Sequence, residues 1–485
     1  MRKHFIFACR SMVFLILLSV CIGFTWRIIT PKVAASTSCT NFYKMENNTI
    51  DVLFLGSSLA AAAYIPQEMY DRYGIRSYNL ASEKQSPVVS YYWLKEVLRY
   101  QSPKVLVLDY NYFFKTNDLI LNSTEISIRR ALEYMKWSPV KLEAIRTVCR
   151  LDRSQSFSSY FFPNIRYHER WAELSEKDFA LAELAAGNGL KGYDPFMGQW
   201  GGEGYAPYDD TDSEKETAML PLMETWLDQI RNLCKQEDIS LVLVNVPQLN
   251  ADVGKYHTIQ KYAEKYDLDF YDFNEKSLYE ASGYDFSADS CDSIHTNLWG
   301  AKKISAYLGG VLAKQYDIGE NTDAQWEITK DSYTDTQKDF ELLLITDIDE
   351  YIEALHDDRY SVFISAKGSY TSALKSPTIR RLQEAGLEIA LQTDASGDDF
   401  YYYYAVLSEG QKEEYLGYDP KVCHSTIRNG LTTFDITGDG SIIIEGKEES
   451  MQRDGLNFVV YHNVKKEVLD SVCFDTSTDE NTASR

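Results

Sequence analysis

The sequence predicts an α/β protein: a parallel sheet covered on both faces by helices, followed by a smaller C-terminal α+β domain and preceded by a membrane helix. Three observations carry this prediction. Between residues 51 and 315, short apolar runs alternate with amphipathic helical patterns, as a parallel sheet requires. At 485 residues the chain exceeds one ordinary core, and its character changes near residue 325. A long apolar run, Met12 to Trp26, lies close to the N-terminus.

Taking the elements in order, Arg2, Lys3 and Arg10 precede the apolar run, and Arg27 and Lys32 follow it. That charge order keeps the N-terminus in the cytoplasm and exports the rest. The run falls short of the roughly 20 residues of a comfortable span. Phe5 to Cys9 and Ile28 to Ile29 lengthen it if Arg10 and Arg27 snorkel. A signal peptide cleaved at Val33-Ala34-Ala35 is the rival, disfavoured because Arg27 and Lys32 intervene. The expectation is therefore a single-pass cell-membrane protein, with residues 1–35 as cytoplasmic stub, anchor and linker and with extracytoplasmic domains.

A formal net charge of -23 removes nucleic acid from the expected partners. Cys9 and Cys21 lie in the apolar segment, while Cys39, Cys149, Cys234, Cys291, Cys423 and Cys473 are scattered singly. No Cys-x-x-Cys pair or Cys/His cluster is present, so no metal is expected. Disulfides are compatible with export, but the spacing gives no connectivity.

"DVLFLGSSLAAAAY", residues 51 to 64, reads as a buried strand, a tight Gly-Ser-Ser turn and a helix. A helix is expected from Gln85 to Tyr100, then "KVLVLDYNYF", a second strand entered through Pro103. Met223, Trp226, Leu227, Ile230 and Leu233 mark one helical face before "ISLVLVNVP", the third strand. "LDFYDF", residues 268 to 273, is the fourth. A last helix carries Ile304, Leu308, Val311 and Leu312 on one stripe, with Asn297 as its N-cap.

Residues 115–215 interrupt this alternation and end in "KGYDPFMGQWGGEGYAPYDD", rich in Gly and aromatics. So long an insertion reads as a lid or binding wall. Trp200 and its Tyr neighbours either stack on sugar rings or pack the loop down. Helices and strands alternate again from residue 325, and 401–475 looks mostly β. There Asp439-Gly440 marks a hairpin turn. Asp435, Thr437 and Asp439 have the look of a calcium loop, but the acidic residue falls at the eleventh position instead of the twelfth. The polar stretch 477–485 is expected to be disordered.

A serine hydroxyl becomes a nucleophile only when a base takes its proton, and the base works best when a third group fixes its tautomer. Of seven histidines, only His295, in "SADSCDSIHTNLWGAKKISAYL", has a carboxylate, Asp292, three residues before it and a helix just after it. Either half is weak alone, since Gly-Ser turns and Asp-x-x-His caps are common. At opposite ends of one α/β domain they are stronger, because loops at the carboxyl ends of the strands converge on one crevice. No Gly-x-Ser-x-Gly elbow is present, which removes a lipase-type α/β-hydrolase.

On these motifs residues 48–318 resemble an SGNH (GDSL-like) hydrolase domain. The resemblance implies a flavodoxin-like three-layer αβα fold. "GSS" matches the family's Gly-Asp-Ser block with Ser57 in place of Asp, making Ser58 the nucleophile, and "DSIH" supplies Asp292 as orienter and His295 as base. "YNLASEKQS" matches the second block with Ala81 where Gly is expected, and "LDYNYF" matches the third with Asp109 in place of Gly and with Asn111. The implied oxyanion hole is the backbone N–H of Ser58 and Ala81 with the Asn111 side chain. No cofactor is implied.

The Gly-Ser-Ser form, the anchor and "HTNLWGAKKIS" are most similar to the branch of DltD-like and alginate-acetylation-like proteins. That implies acyl-ester chemistry, hydrolysis or transfer, on a cell-surface polysaccharide or acylated glycan, beside a membrane-bound O-acyltransferase. Residues 325–476 resemble, in permuted order, the interleukin-like EMT inducer (ILEI) domain, which implies a carbohydrate-binding or docking module. The competing reading is a surface-anchored scaffold or carbohydrate-binding protein that kept the fold and lost turnover.

Overall fold

The apolar runs of the first half pair side by side. In a computed structural model, β1 (Val52–Leu55), β2 (Ser77–Asn79), β3 (Val105–Asp109), β4 (Ser240–Asn245) and β5 (Asp269–Asp272) form one parallel sheet in the order β2-β1-β3-β4-β5. The structure describes all residues except Met1, 115–120, 122–123, 188, 203, 210–214, 369, 371–373, 388–401, 429 and 479–480. It divides into two units: Met1–Leu174 with Leu181–Gln337, and Lys338–Arg485 with Ser175–Ala180.

Successive side chains of a strand point to opposite faces, and here both faces are covered. Leu53, Leu55, Leu106, Leu108, Leu241 and Leu243 enter one core, with Trp93 and Val97 of the helix Pro87–Val97 and Leu227 and Ile230 of the helix Pro221–Gln236. Val52, Phe54, Val105, Val107, Val242 and Val244 enter the other, with Ile304, Leu308 and Leu312 of the helix Leu298–Tyr316. β1 and β3 are buried at every position and β4 at all but Ser240, which is why these segments read as continuous apolar runs, while β5 at the sheet edge is only partly buried. Asn297 caps its helix as expected, its side chain accepting from the N–H of Trp299 and Gly300. On that helix Val311 is only partly buried, and Ser305 and Gly309 pack inward beside the expected stripe.

β2, three residues long, lies outside the expected strands, and α2 (Ala34–Phe42), starting at the end of the expected 1–35 segment, sends Cys39 and Phe42 into the core. It follows α1 (Arg2–Ile29), whose stretch His4–Ile29 holds an 18-residue window of mean hydropathy 2.5 and is long and apolar enough to cross a membrane.

The second unit is antiparallel. Its strands are β6 (Tyr360–Lys367), β7 (Tyr402–Ser408), β8 (Gln411–Gly417), β9 (Val422–Ile427), β10 (Thr432–Thr437), β11 (Ile442–Ile444), β12 (Lys447–Glu448), β13 (Gly455–His462), β14 (Glu467–Phe474) and β15 (Ala483–Ser484). They make a six-stranded sheet, β15-β14-β13-β6-β7-β8, and a four-stranded one, β12-β11-β10-β9. One face of the larger sheet (Val362, Ile364, Phe458, Val460) packs with the helices Ile348–Ala354 and Ser376–Glu384. Its other face (Phe363, Tyr404, Val459, Tyr461) packs against Phe434, Ile436, Ile442 and Ile444 of the smaller sheet. The hairpin joining β10 to β11 turns at Gly440, whose φ of +101° suits glycine.

Where the sequence suggests a disordered tail over 477–485, Ala483 pairs with Phe474 and Ser484 with Cys473. Arg485 then reaches Asp470 at 3.1 Å. β14 would otherwise present an open edge, and two backbone pairings with one ion pair hold a polar segment there. All eight cysteines are free thiols.

The segment Ser175–Ala180 is contributed to this unit from within the expected insertion. Its Glu176 is buried and accepts from Arg428 Nε at 3.0 Å, from Thr432 Oγ1 at 2.9 Å and from Lys466 Nζ. Burial works to raise the Glu176 carboxyl, and the hydrogen bonds from Lys466, Arg428 and Thr432 overcome it and hold the group below its ordinary range.

Candidate active site

β1 ends at Gly56, and the backbone there leaves no room for a side chain: a Cβ would lie 2.5 Å from Asp109 Cβ, and φ is +151°. The two serines that follow have different fates. Ser57 is fully buried and serves the fold. Its N–H donates to Asp109 Oδ2 at 3.1 Å, its hydroxyl donates to the same oxygen at 2.5 Å, and its Oγ accepts from the N–H of Leu59 as the N-cap of α3 (Ser58–Ala63). Ser58 begins α3 and is only partly buried. As a first-turn amide its N–H has no partner within the helix.

The other half of the site comes from the loop before the helix Leu298–Tyr316. Asp292 Oδ1 accepts from the N–H groups of Ile294 and His295, each at 2.8 Å, closing a tight local turn. Its Oδ2 accepts from His295 Nδ1 at 2.8 Å, and His295 Nε2 lies 2.8 Å from Ser58 Oγ. With Nδ1 carrying the proton, Nε2 is left as the acceptor for the serine hydroxyl. Burial works to raise the Asp292 carboxyl, but the hydrogen bonds from the His295 ring and from two backbone N–H groups hold it below the usual range, so it stays ionised beside the imidazole.

Several hydrogen bonds clamp the two halves together. Thr296 Oγ1 donates to the carbonyl of Ala62 at 3.0 Å, and Ser305 Oγ accepts from the N–H of Ile65 at 2.8 Å. On the β2 side, Asn79 Nδ2 donates to the carbonyl of Ala60 at 2.8 Å. α3 and the residues just after it are thus held from both sides by side chains bonded to their backbone.

Of the expected oxyanion donors, the N–H of Ala81 donates to Asn79 Oδ1 at 3.0 Å, and the same Asn79 side chain donates to the α3 carbonyl of Ala60. Asn111 lies in a 3₁₀ turn, Asn111–Phe114, directly after β3, and its N–H donates to Asp109 Oδ1 at 2.9 Å. Asp109 therefore fastens the turns after β1 and after β3 to each other.

The insertion reaches the site, though through a different aromatic from the one singled out. The Phe196 ring stacks on His295, with centroids 4.2 Å apart and planes 20° apart. Its segment is pinned by the N–H of Asp194 on the carbonyl of Ala61, by Cys291 Sγ on the carbonyl of Met197 and by the N–H of Trp200 on the carbonyl of Ser290. Trp200 thus holds the loop down through its backbone. A Phe among many aromatics gives no local signal, and neither Phe196 nor Asn79 is legible from the sequence. Among the described residues no three His, Cys, Asp or Glu side chains converge as a metal site would require.

Serine, histidine and aspartate in this arrangement can carry out nucleophilic acyl transfer: a hydroxyl, a base on it, and a carboxylate on the base. Compared with known proteins, the chain matches no family model and no curated protein.

Proposed function

We propose that the chain is a membrane-anchored, extracytoplasmic serine esterase or O-acyltransferase of the SGNH type, acting on acyl esters of a cell-surface polysaccharide or related acylated glycan. The observation that carries the reading is the continuous hydrogen-bonded line Ser58–His295–Asp292, with both links at 2.8 Å. The strand order 2-1-3-4-5 supports it, since it is that of flavodoxin-like sheets, and Ser58 follows β1, beside the switch point between β1 and β3. Ser57 with Asp109 supports it as well: the carboxylate absent from the Gly-Ser-Ser turn is supplied from β3.

In this reading His295 Nε2 takes the Ser58 proton as Oγ forms a bond to the acyl carbonyl carbon. Asp292 holds the imidazolium. The N–H of Ser58 and the side-chain amide of Asn111 are the donors this reading assigns to the developing oxyanion. The imidazolium then protonates the departing alcohol oxygen, leaving acyl-Ser58. Water or a sugar hydroxyl, deprotonated by His295, attacks that ester, and the proton returns to Ser58 as the acyl group leaves. Which acceptor arrives decides between hydrolysis and transfer to a glycan, and a membrane-bound O-acyltransferase is the partner that fits the second. α1 is read as an uncleaved span. The packing beyond it supports this: Tyr134 Oη donates to the carbonyl of Pro31 at 2.6 Å, tying the chain just after the helix to the folded body. The second unit is read as an ILEI-like glycan-binding module.

One observation favours the scaffold reading: with the N–H of Ala81 engaged by Asn79, the oxyanion has fewer donors than the full set. The test is aryl-acetate turnover and fluorophosphonate labelling of the detergent-solubilised full chain, wild type against Ser58→Ala. Turnover that vanishes in the variant, with loss of the label, is expected. Equal turnover in both would sink the esterase reading, and no labelling of either would favour the scaffold.

A further inference from the structure

Residues 124–174 pack beside the end of α1 and carry a group of exposed apolar side chains. Ile126, Trp137, Phe157, Phe162, Ile165 and Trp171 are all exposed, with Trp137, Phe162 and Trp171 each at 52%. They are gathered by contact as well as by sequence. The Phe162 ring packs edge-on against Trp26 of α1, with centroids 5.7 Å apart, and Arg170 donates to the carbonyl of Ile29. Trp137 stacks on Phe161, which also packs against Phe157. The short 3₁₀ turn His168–Ala172, carrying Trp171, touches α1 directly.

These contacts fix a height. α1 ends at Ile29, where Lys32 Nζ turns back onto its last carbonyls. Trp26 and the residues just after it sit where an apolar span gives way to headgroups, the level at which Trp and Tyr belts and snorkelling cations are found. The exposed aromatics that touch this turn of α1 lie at the same level. The charge agrees: in a chain of net -23, residues 124 to 174 hold nine Arg and Lys against six Asp and Glu, and all of the nine except Arg129 and Lys141 lie outside the core. Aromatic and aliphatic side chains among basic ones are the composition of a surface that rests on anionic lipid.

We infer that residues 124–174 form a lipid-contacting collar around the base of α1, seating this unit on the headgroup region of the membrane. The inference rests on α1 being a membrane span. The experiment uses the full chain reconstituted in phosphatidylcholine–phosphatidylglycerol vesicles containing lipid brominated high on the acyl chain, with Trp137→Phe and Trp171→Phe variants isolating each tryptophan by difference. The expected result is that bromolipid quenches the emission of Trp137 and Trp171 at least twofold while aqueous iodide leaves it nearly unchanged. Quenching by iodide and not by bromolipid would overturn the collar. Quenching by neither would overturn it too, in favour of protein covering this face. Alkaline carbonate extraction run in parallel separates the two failures: release of the chain overturns the span and the collar together, and retention with iodide-accessible tryptophans overturns the collar alone.

Discussion

His295–Asp292 in the first unit and His462–Asp339 in the second are chemically similar pairs, and their surroundings give them different work. His295 and Asp292 face each other at 2.8 Å, with Asp292 43% exposed at its side chain and a serine hydroxyl on the far ring nitrogen. His462 and Asp339 meet at 3.2 Å with side chains 3% and 1% exposed. There the carboxylate is saturated by Lys465 at 2.6 Å, Arg359 at 2.9 Å and Tyr360 at 2.7 Å, and His462 Nδ1 accepts from the backbone N–H groups of Val464 and Lys465. The second pair has no ring nitrogen left for a substrate. A His–Asp pair is poised for chemistry when its outer nitrogen meets a hydroxyl at an accessible edge, and it is a rivet when both nitrogens and the carboxylate are spent inside the fold.

The sharpest way to break this comparison is to neutralise each aspartate in turn. Asp292→Asn keeps an oxygen to accept from the Ile294 and His295 N–H groups but loses the anion that sets the ring. Ester turnover should fall by about 10³–10⁴-fold with little change in the urea midpoint. Asp339→Asn should do the opposite. It leaves the half-buried Arg359 and Lys465 against a neutral amide and should cost the second unit about 1–3 kcal/mol, while the folded protein retains its aryl-acetate turnover. If Asp339→Asn removed turnover at unchanged stability, the distinction between site and rivet would collapse.

Acid sharpens the same contrast. Burial works to raise the Asp339 carboxyl, but the hydrogen bond from His462 and the charge of Lys465 overcome it and hold it well below the carboxylate range. A carboxyl whose folded value is depressed contributes stability that is fully present above its unfolded value, about pH 4, and is lost as pH falls through that value toward the folded one. Urea titrations between pH 6 and 3 should show stability falling with acid in the wild type, and a shallower fall in Asp339→Asn. The smallest effect should come from Phe196→Ala. A ring stacked on an imidazole is worth about 0.5–1.5 kcal/mol, so kcat/KM should drop by roughly 3- to 10-fold without loss of fold.

β1, β3 and β4 were legible because a strand buried on both faces must be apolar throughout, and the Leu and Val of β3 alternate between two cores without a polar break. The three residues of β2 carry no such pattern and exist because β1 offers them an edge. Asp292 and His295 were legible because three residues of loop bring the carboxylate to the ring. The Ala81 donor was not: whether a backbone N–H points at a substrate or at Asn79 depends on a side-chain conformation decided by α3. Phe196 was hidden for a related reason. Its partner lies about a hundred residues away, joined only by the fold of the insertion.

The stretch Ser175–Ala180 bears on how the protein is synthesised and on where it can be cut. Translation delivers Glu176 long before Arg428, Thr432 and Lys466 exist, so this carboxylate waits in water until nearly the whole chain has emerged. The second unit therefore closes late and depends on a stretch made early. A fragment beginning at Lys338 would lack the carboxylate around which Arg428 and Lys466 gather, and expression boundaries drawn from sequence continuity alone would cut through this arrangement.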